Sequence, residues 1–347
     1  MLNQTFSEVF LNEESQPLLP PVVNANSHVL SDEYPSILNA DILQAILQLK
    51  SSVSQTPDLI PSLFFKKTSI QLLKPLSIIF NFSISSGQVP TLWKRATVIP
   101  IYKKGKINNP SNYRPISLTS VACRILEKVL HKKMMTHLLK NHIISDAQHG
   151  FIYGKSTQTQ QLQFMNKLTS MYDKKAQVDI VYLDFSKAFD KVSHAKLLHV
   201  LHHYKFHNLL ISWIANYLTE RIQTTFVDSC YSDSSPVTSG VPQGSVLGPL
   251  LFVIYLEDLI RNIQMQCRNT TIYAFADDIK LSSNDRIDLK RALDIVSTWT
   301  NTWKLQLNTD KSEHLTIRQQ QENTFNILPK AIPKTNKVRD IYQKLYS

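Results

Sequence analysis

The chain has 347 residues, 43% apolar and 19% charged, which is enough to bury a sizeable core and argues against wholesale disorder. Lys and Arg number 38 against 27 Asp and Glu, a net charge of +11. The three cysteines, Cys123, Cys230 and Cys267, lie far apart, which excludes a disulfide framework and a four-cysteine zinc site.

At roughly 100–200 residues per domain, this length allows two or three lobes. The longest clean apolar run, Leu250 to Leu256, is far short of the roughly 20 residues of a membrane span, so no membrane partner is expected. No basic-then-apolar leader opens the sequence, and an intracellular setting is expected. Residues 1–60 carry seven acids and one base, Lys50. Residues 61–140 carry fourteen bases and one acid, Glu127. Such a basic block suits a phosphate-rich partner, or else is a solvated surface with no ligand.

Residues 1–37, spotted with Pro17, Pro20 and Pro21, read as a poorly ordered lead-in. Residues 38–52 have the spacing of an amphipathic helix, and 58–86 read as further helix. Val98 to Tyr102 reads as a strand ending in the basic turn 103–106. Val121 to Lys140 and Thr157 to Tyr172 are helical patterns. Val178 to Phe185 is rich in β-branched residues and reads as a strand, followed by a helix from Ala195 to Tyr204. Thr224 to Val227 reads as a strand and Val246 to Ile260 as a buried helix. Thr271 to Phe275 and Ile279 to Ser282 form a hairpin through Ala276-Asp277-Asp278, and a helix spans Ile287 to Leu305. The remainder reads as polar and irregular. Strands mixed with helices around a tight hairpin give an α+β class.

Acids stand at two places where an apolar strand stops: Asp184, and the pair Asp277-Asp278. Strands that pack side by side would bring these ends together. Carboxylates about 4 Å apart repel by roughly 4 kcal/mol per pair at an effective dielectric of 20. Either one stays protonated, or a hard dication lies between them. Two Mg2+ ions a few ångströms apart activate an attacking hydroxyl and stabilise a leaving pyrophosphate. The competing reading is that Asp277-Asp278 is only a turn, where Asp is common.

Only seven glycines occur, and Gly240, Gly244 and Gly248 fall in one nine-residue stretch before the buried helix. Such a loop exposes backbone that can approach a base or a phosphate, though it can equally be an ordinary lead into a helix. Arg114 follows the lysine turn and suits a triphosphate, or is a solvated basic loop. His199, His203 and His207 would share one helix face, but no nearby Cys or carboxylate completes a zinc site. Trp299 and Trp303, one turn apart, read as packing.

Seven motifs now stand in a familiar order. They are Trp93 to Gly105; Asn112 to Leu118; Gln148 to Phe151 with Lys155 to Thr157; Asp184 to His194; Gly240 to Pro249; Phe275 to Asp278; and Leu307 to Ser312. Over roughly residues 38–320 the chain resembles the reverse transcriptases of retrotransposons lacking long terminal repeats, the LINE-type elements, in their jockey-like branch. The resemblance implies a right-hand polymerase with helical, basic fingers (38–175) and an antiparallel-sheet palm (176–320). It implies RNA-directed DNA polymerase activity with an RNA template, a DNA primer, deoxynucleoside triphosphates and two Mg2+ ions, with Mn2+ as a substitute. Asp184, Asp277 and Asp278 match the metal ligands. Phe189 matches the gate against a ribose 2′-hydroxyl, with Phe185 also on the nucleotide side. Gln243 and Gly244 match the loop that contacts nucleotide and template. Arg114 and Lys103 match the triphosphate contacts, and Lys311 matches a lysine that protonates pyrophosphate. Asp190 and His194 are expected to be structural, capping the next helix. A nuclear site is implied by the family.

The pattern also departs from the family. Fewer than 60 residues precede the fingers, where the family carries an endonuclease, and Thr56 to Pro61 lacks the family's glycines around Asp58. Residues 321–347 are expected to be a truncated palm–thumb junction, with Lys337 to Asp340 starting the thumb-proximal strand, most of the thumb missing and no Cys/His knuckle after it. The alternatives are a catalytically silent nucleic-acid-binding remnant and an RNA-templated RNA polymerase; the latter should lack the aromatic gate at Phe189.

Overall fold

A computed structural model describes residues 1–11, 36–53, 56–174, 176–317, 326–327 and 330–332. In chain order the elements begin with helices α1 (Leu2–Ser7), α2 (Asn39–Leu47), α3 (Ser62–Lys67) and α4 (Ser69–Ser86). Strands β1 (Arg95–Tyr102) and β2 (Tyr113–Leu118) follow, then α5 (Val121–Lys140), α6 (Thr157–Asp173) and β3 (Val178–Leu183). Next come α7 (His194–His203), α8 (Asn208–Leu218), β4 (Arg221–Val227), β5 (Cys230–Tyr231) and β6 (Ser235–Val237). Helix α9 (Leu247–Gln266), β7 (Thr270–Phe275), β8 (Asp278–Ser283), α10 (Arg286–Trp303), β9 (Glu313–Ile317), β10 (Asn326–Ile327) and β11 (Lys330–Ala331) complete the order.

The chain divides into two compact units, one within 1–143 and 189–251, the other within 144–188 and 252–347. In the first, β1 pairs antiparallel with β2 and parallel with β4, and both β5 and β6 pair with β4. Helix α1 lies in the stretch read from sequence as irregular. It is anchored because Asn3 donates to the Asp233 carbonyl and to Ser235 Oγ, both at 2.8 Å, and Phe6 is buried. The rest of that lead-in, 12–35, lies outside the described residues, as does most of 321–347, on which the expectations for the thumb and for Lys337 to Asp340 rest.

In the second unit the strand order is β7-β8-β3-β9, all antiparallel. Alternation puts Val178 and Ile180 on one face, where they pack with Tyr273, Leu315 and the α6 residues Phe164 and Met171. Trp299 and Trp303 stack at 5.4 Å, and Tyr255 of α9 meets Trp303 edge-on at 5.0 Å, so both tryptophans are packing residues. Strand β9 falls in the stretch read as irregular. Its polar residues are satisfied inside the sheet, since His314 Nε2 (3.0 Å) and Thr316 Oγ1 (2.7 Å) both reach Asp179 Oδ1. Burial works against the Asp179 carboxylate, but these hydrogen bonds outweigh it and hold the group below the usual carboxylate range.

Glu257 on α9 is fully buried, and its Oε1 accepts the Ser145 N–H at 2.9 Å. Burial pushes its carboxyl up to about 8, although Arg261 at 3.4 Å favours the charged form. A carboxyl raised above its unfolded value contributes stability fully below about pH 4.5, and that contribution is lost as pH rises through about 8. Glu257→Gln, neutral throughout, should therefore gain Tm relative to the parent chain as pH goes from 5 to 8. Parallel Tm curves across that range would show that the carboxyl does not titrate there.

Candidate active site

Residue Leu183 of β3 faces Ile279 of β8, so Asp184, just after β3, and Asp278, the first residue of β8, fall at the same end of the sheet. Phe275 faces Asp278 across the β7–β8 hairpin, which leaves Ala276 and Asp277 as a two-residue turn. The hairpin read from sequence is therefore one residue tighter, because Asp278 is already in β8. Ala276 has φ +53° and supplies the left-handed backbone the turn needs. The three aspartates thus lie at one end of one sheet.

The 307–312 segment wraps Asp184. Its carbonyl accepts the Asn308 N–H at 2.8 Å, its N–H donates to Ser312 Oγ at 3.4 Å, and Phe185 bridges to Leu307. This turn sets Lys311 Nζ 3.7 Å from Asp184 Oδ2. Lys311 is largely exposed, so the pair is worth only about 0–1 kcal/mol and parts readily. Asp184 therefore has open carboxylate oxygens beside a cation, a donor set that suits a hard metal ion. Among the described residues, however, no three Asp, Glu, His or Cys side chains form a closed metal-ligating group. Neighbouring carboxylates repel one another, so a shared sheet end without a closed trio is the arrangement electrostatics favours.

The other predicted site residues belong to the first unit. Gly240 has φ +82°, and a Cβ there would lie 2.6 Å from the Phe189 carbonyl oxygen. The same segment is joined by hydrogen bonds from Val241 N–H to the Phe189 carbonyl and from Gly240 N–H to the Val192 carbonyl, both 2.8 Å. Gln243 Nε2 donates to Asp190 Oδ1 at 2.8 Å, and His194 Nε2 lies 2.8 Å from the Gly240 carbonyl. Asp190 and His194 thus have structural partners that tie the glycine loop to the segment behind Phe189, while Ser193, at the N-cap position of α7, makes no side-chain capping bond. Gly244 has φ +107° and lies against β2, where a Cβ would meet the Ser117 carbonyl oxygen at 2.6 Å. Ser117 N–H in turn donates to the Gln243 carbonyl at 2.7 Å. Arg114 on β2 is exposed opposite Ile101, and Lys103 N–H bonds the Asn112 carbonyl at 2.8 Å, which extends the same ladder. Two-residue alternation puts Arg114 and Lys103 on one face of it.

Two details correct the sequence reading. Helix α7 ends at His203, and His207 is instead the N-cap of α8, its Nδ1 accepting the Leu209 N–H at 3.2 Å, so the three histidines do not share a helix. Asp58 needs no flanking glycine, because Leu59 takes φ +57° and Asp58 accepts the Ser120 hydroxyl at 2.5 Å. One structural residue was missed: the buried Glu127, whose Oε2 accepts the N–H groups of Val246 (2.7 Å) and Leu247 (3.0 Å) at the start of α9. Its signal was in plain view as the single acid among fourteen bases.

Comparison with known proteins bears on this arrangement. Residues 101–332 match the family model described as reverse transcriptase (RNA-dependent DNA polymerase). The chain is 30% identical over 282 residues to the "Probable RNA-directed DNA polymerase from transposon BS" of Drosophila melanogaster, covering 78% of this chain and 31% of that protein. It is 29% identical to the RNA-directed DNA polymerase from mobile element jockey of the same fly, covering 79% and 31%. The chain thus spans about a third of the length of these curated relatives. Among solved structures, apo telomerase from Candida tropicalis, truncated from its C-terminal domain, aligns with a TM-score of 0.51 at 12% identity. The alignment covers 74% of this chain and 57% of that one, a likeness of fold. Motif order, sheet register and family match agree: the chain belongs to the reverse transcriptase (RNA-dependent DNA polymerase) family.

Proposed function

We propose that this chain is an RNA-directed DNA polymerase domain of a mobile element, extending a DNA primer on an RNA template with deoxynucleoside triphosphates. The observation that carries this is that β3 ends with Leu183 opposite Ile279, which brings Asp184, Asp278 and the adjoining turn residue Asp277 to one end of the sheet. Asp184, Asp277 and Asp278 would hold two Mg2+ ions, or Mn2+ in their place. When bound, these ions supply positive charge against the phosphates and acidify the primer hydroxyl.

The primer 3′-hydroxyl gives up its proton to water, its oxygen forms a bond to the α-phosphorus, and the bond from that phosphorus to the bridging oxygen of the β-phosphate breaks. Lys311 gives a proton to the departing pyrophosphate. Arg114 and Lys103 bind the triphosphate, Gln243 and Gly244 set the loop under nucleotide and template, and Phe185 supports the nucleotide side. The hydrogen bond from Gln243 to Asp190 supports a preorganised loop. We assign fingers to 38–175, palm to 176–320 and the thumb junction to 321–347, and place the work of the chain in the nucleus. Among the described residues no helix is long and apolar enough to cross a membrane.

The aromatic wall at Phe189 makes a separate expectation. Phe189→Val should raise ribonucleotide incorporation by roughly 10–100-fold relative to deoxynucleotide, the usual size of a steric pocket effect. Primer extension by the purified chain on an RNA template, with each sugar in turn, tests both points. Binding of the hybrid without any addition would reduce the chain to a nucleic-acid-binding remnant. Extension with an unchanged sugar ratio in the variant would remove Phe189 from the gate.

A further inference from the structure

The Gln148-His149-Gly150-Phe151 segment has no role in the account so far, yet it is built against the back of the aspartate turn. Residues 147–149 run beside β7 as a short parallel addition. Ala274 N–H donates to the Ala147 carbonyl and His149 N–H to the Ala274 carbonyl, both at 2.8 Å. Gln148 is 0% exposed. Its Oε1 accepts two backbone donors, Gly150 N–H at 2.8 Å and Ala276 N–H at 3.1 Å. Gly150 cannot carry a side chain in this arrangement, since a Cβ would lie 2.4 Å from the Ala276 nitrogen. Ala276 is also the residue held at φ +53°, a conformation a non-glycine residue adopts reluctantly.

We propose that Gln148 is a positioning residue for the metal-binding turn, its side-chain oxygen fixing the Ala276 amide so that Asp277 and Asp278 keep the backbone geometry that presents them to the cations. The proposal rests on the polymerase reading and deepens it. A glutamine suits the position because one neutral acceptor serves two buried N–H groups without adding charge beside the aspartates. A merely structural glutamine would affect the melting temperature alone. A positioning one affects cation affinity, because ligand geometry is set by the groups that orient the ligands.

The test compares Gln148→Met with Gln160→Met, a change at an equally buried glutamine on α6. Mn2+ binding to the full chain is followed by electron paramagnetic resonance, and the Mg2+ dependence of primer extension is measured alongside. Gln148→Met should weaken Mn2+ binding at least about 10-fold and raise the Mg2+ needed for half-maximal extension by a similar factor. Gln160→Met should change neither. In the unaltered chain the Ala276 amide, although in a turn, should exchange with solvent as slowly as the amides inside β7. This measurement decides the matter even if Gln148→Met does not fold. Parent-like Mn2+ affinity in Gln148→Met, or fast exchange at Ala276, overturns the positioning role and leaves the polymerase reading standing. An unaltered chain that neither binds Mn2+ nor extends a primer overturns both.

Discussion

Asp277→Asn is expected to lower primer extension by about 1,000-fold or more while leaving the fold and hybrid binding intact. The residue is in the two-residue turn between β7 and β8, half-buried and outside the sheet ladder, so losing its charge removes little packing. On the proposed function, it removes a ligand for cations whose charge stabilisation is worth several kcal/mol in phosphoryl transfer. At 1.36 kcal/mol per tenfold in rate, about 4 kcal/mol is the thousandfold loss. Single-turnover extension, a thermal melt and a hybrid-binding titration on the same preparation separate the effects. A variant that extends at the parental rate would remove Asp277 from the chemistry.

Glu127→Ala carries the largest expected loss of stability. Glu127 is fully buried on α5 and gives one oxygen to two backbone donors at the start of α9. A carboxylate there meets the positive end of the helix dipole. Burial pushes its carboxyl up, while the Leu247 and Val246 N–H groups and the Arg221 guanidinium favour the charged form. Alanine would leave both donors without an acceptor, at about 1–3 kcal/mol each, so a loss of roughly 2–6 kcal/mol is expected. Glu127→Gln keeps an acceptor and should lose less. Urea unfolding of the three chains ranks them; an alanine variant within about 0.5 kcal/mol of the parent, the range of ordinary surface changes, would contradict this role. The glycine loop precedes α9 directly, so loosening the helix start should also lower extension.

Much of the fold could be read from local pattern, and what escaped has common causes. The apolar spacing of Val121 to Lys140 marks α5 to the residue, and the β-branched run from Val178 marks β3, a strand buried on both faces. Strand β2 was missed because Pro115 interrupts it, which an edge strand tolerates. Strand β9 was missed because His314 and Thr316 look like solvent-facing residues until Asp179, 135 and 137 residues away in sequence, is seen to accept from both. Helix α8 went unread although Leu210, Ile211, Trp213, Ile214, Tyr217 and Leu218 recur at helical spacing and form its buried face. The helical stretch expected over 58–86 holds two helices, Ser62–Lys67 and Ser69–Ser86, divided at Thr68.

At the site the same division holds. Asp184 and the 277–278 pair were legible because acids at the ends of apolar strands are conspicuous. Asp190 and His194 are structural, as expected, but their partners Gln243 and Gly240 are about fifty residues on, and no local rule links them. The work of Gln148 is invisible in sequence for the same reason: its acceptor oxygen serves the backbone of a turn 128 residues away.

The central claim is that Asp184 and the 277–278 turn hold divalent cations, and anomalous scattering from crystals of the chain soaked in Mn2+ tests it most directly. Mn2+ peaks are expected at bonding distance, about 2.0–2.6 Å, from the carboxylate oxygens of Asp184 and of Asp277 or Asp278. Mn2+ bound only elsewhere, with these carboxylates untouched, would contradict it.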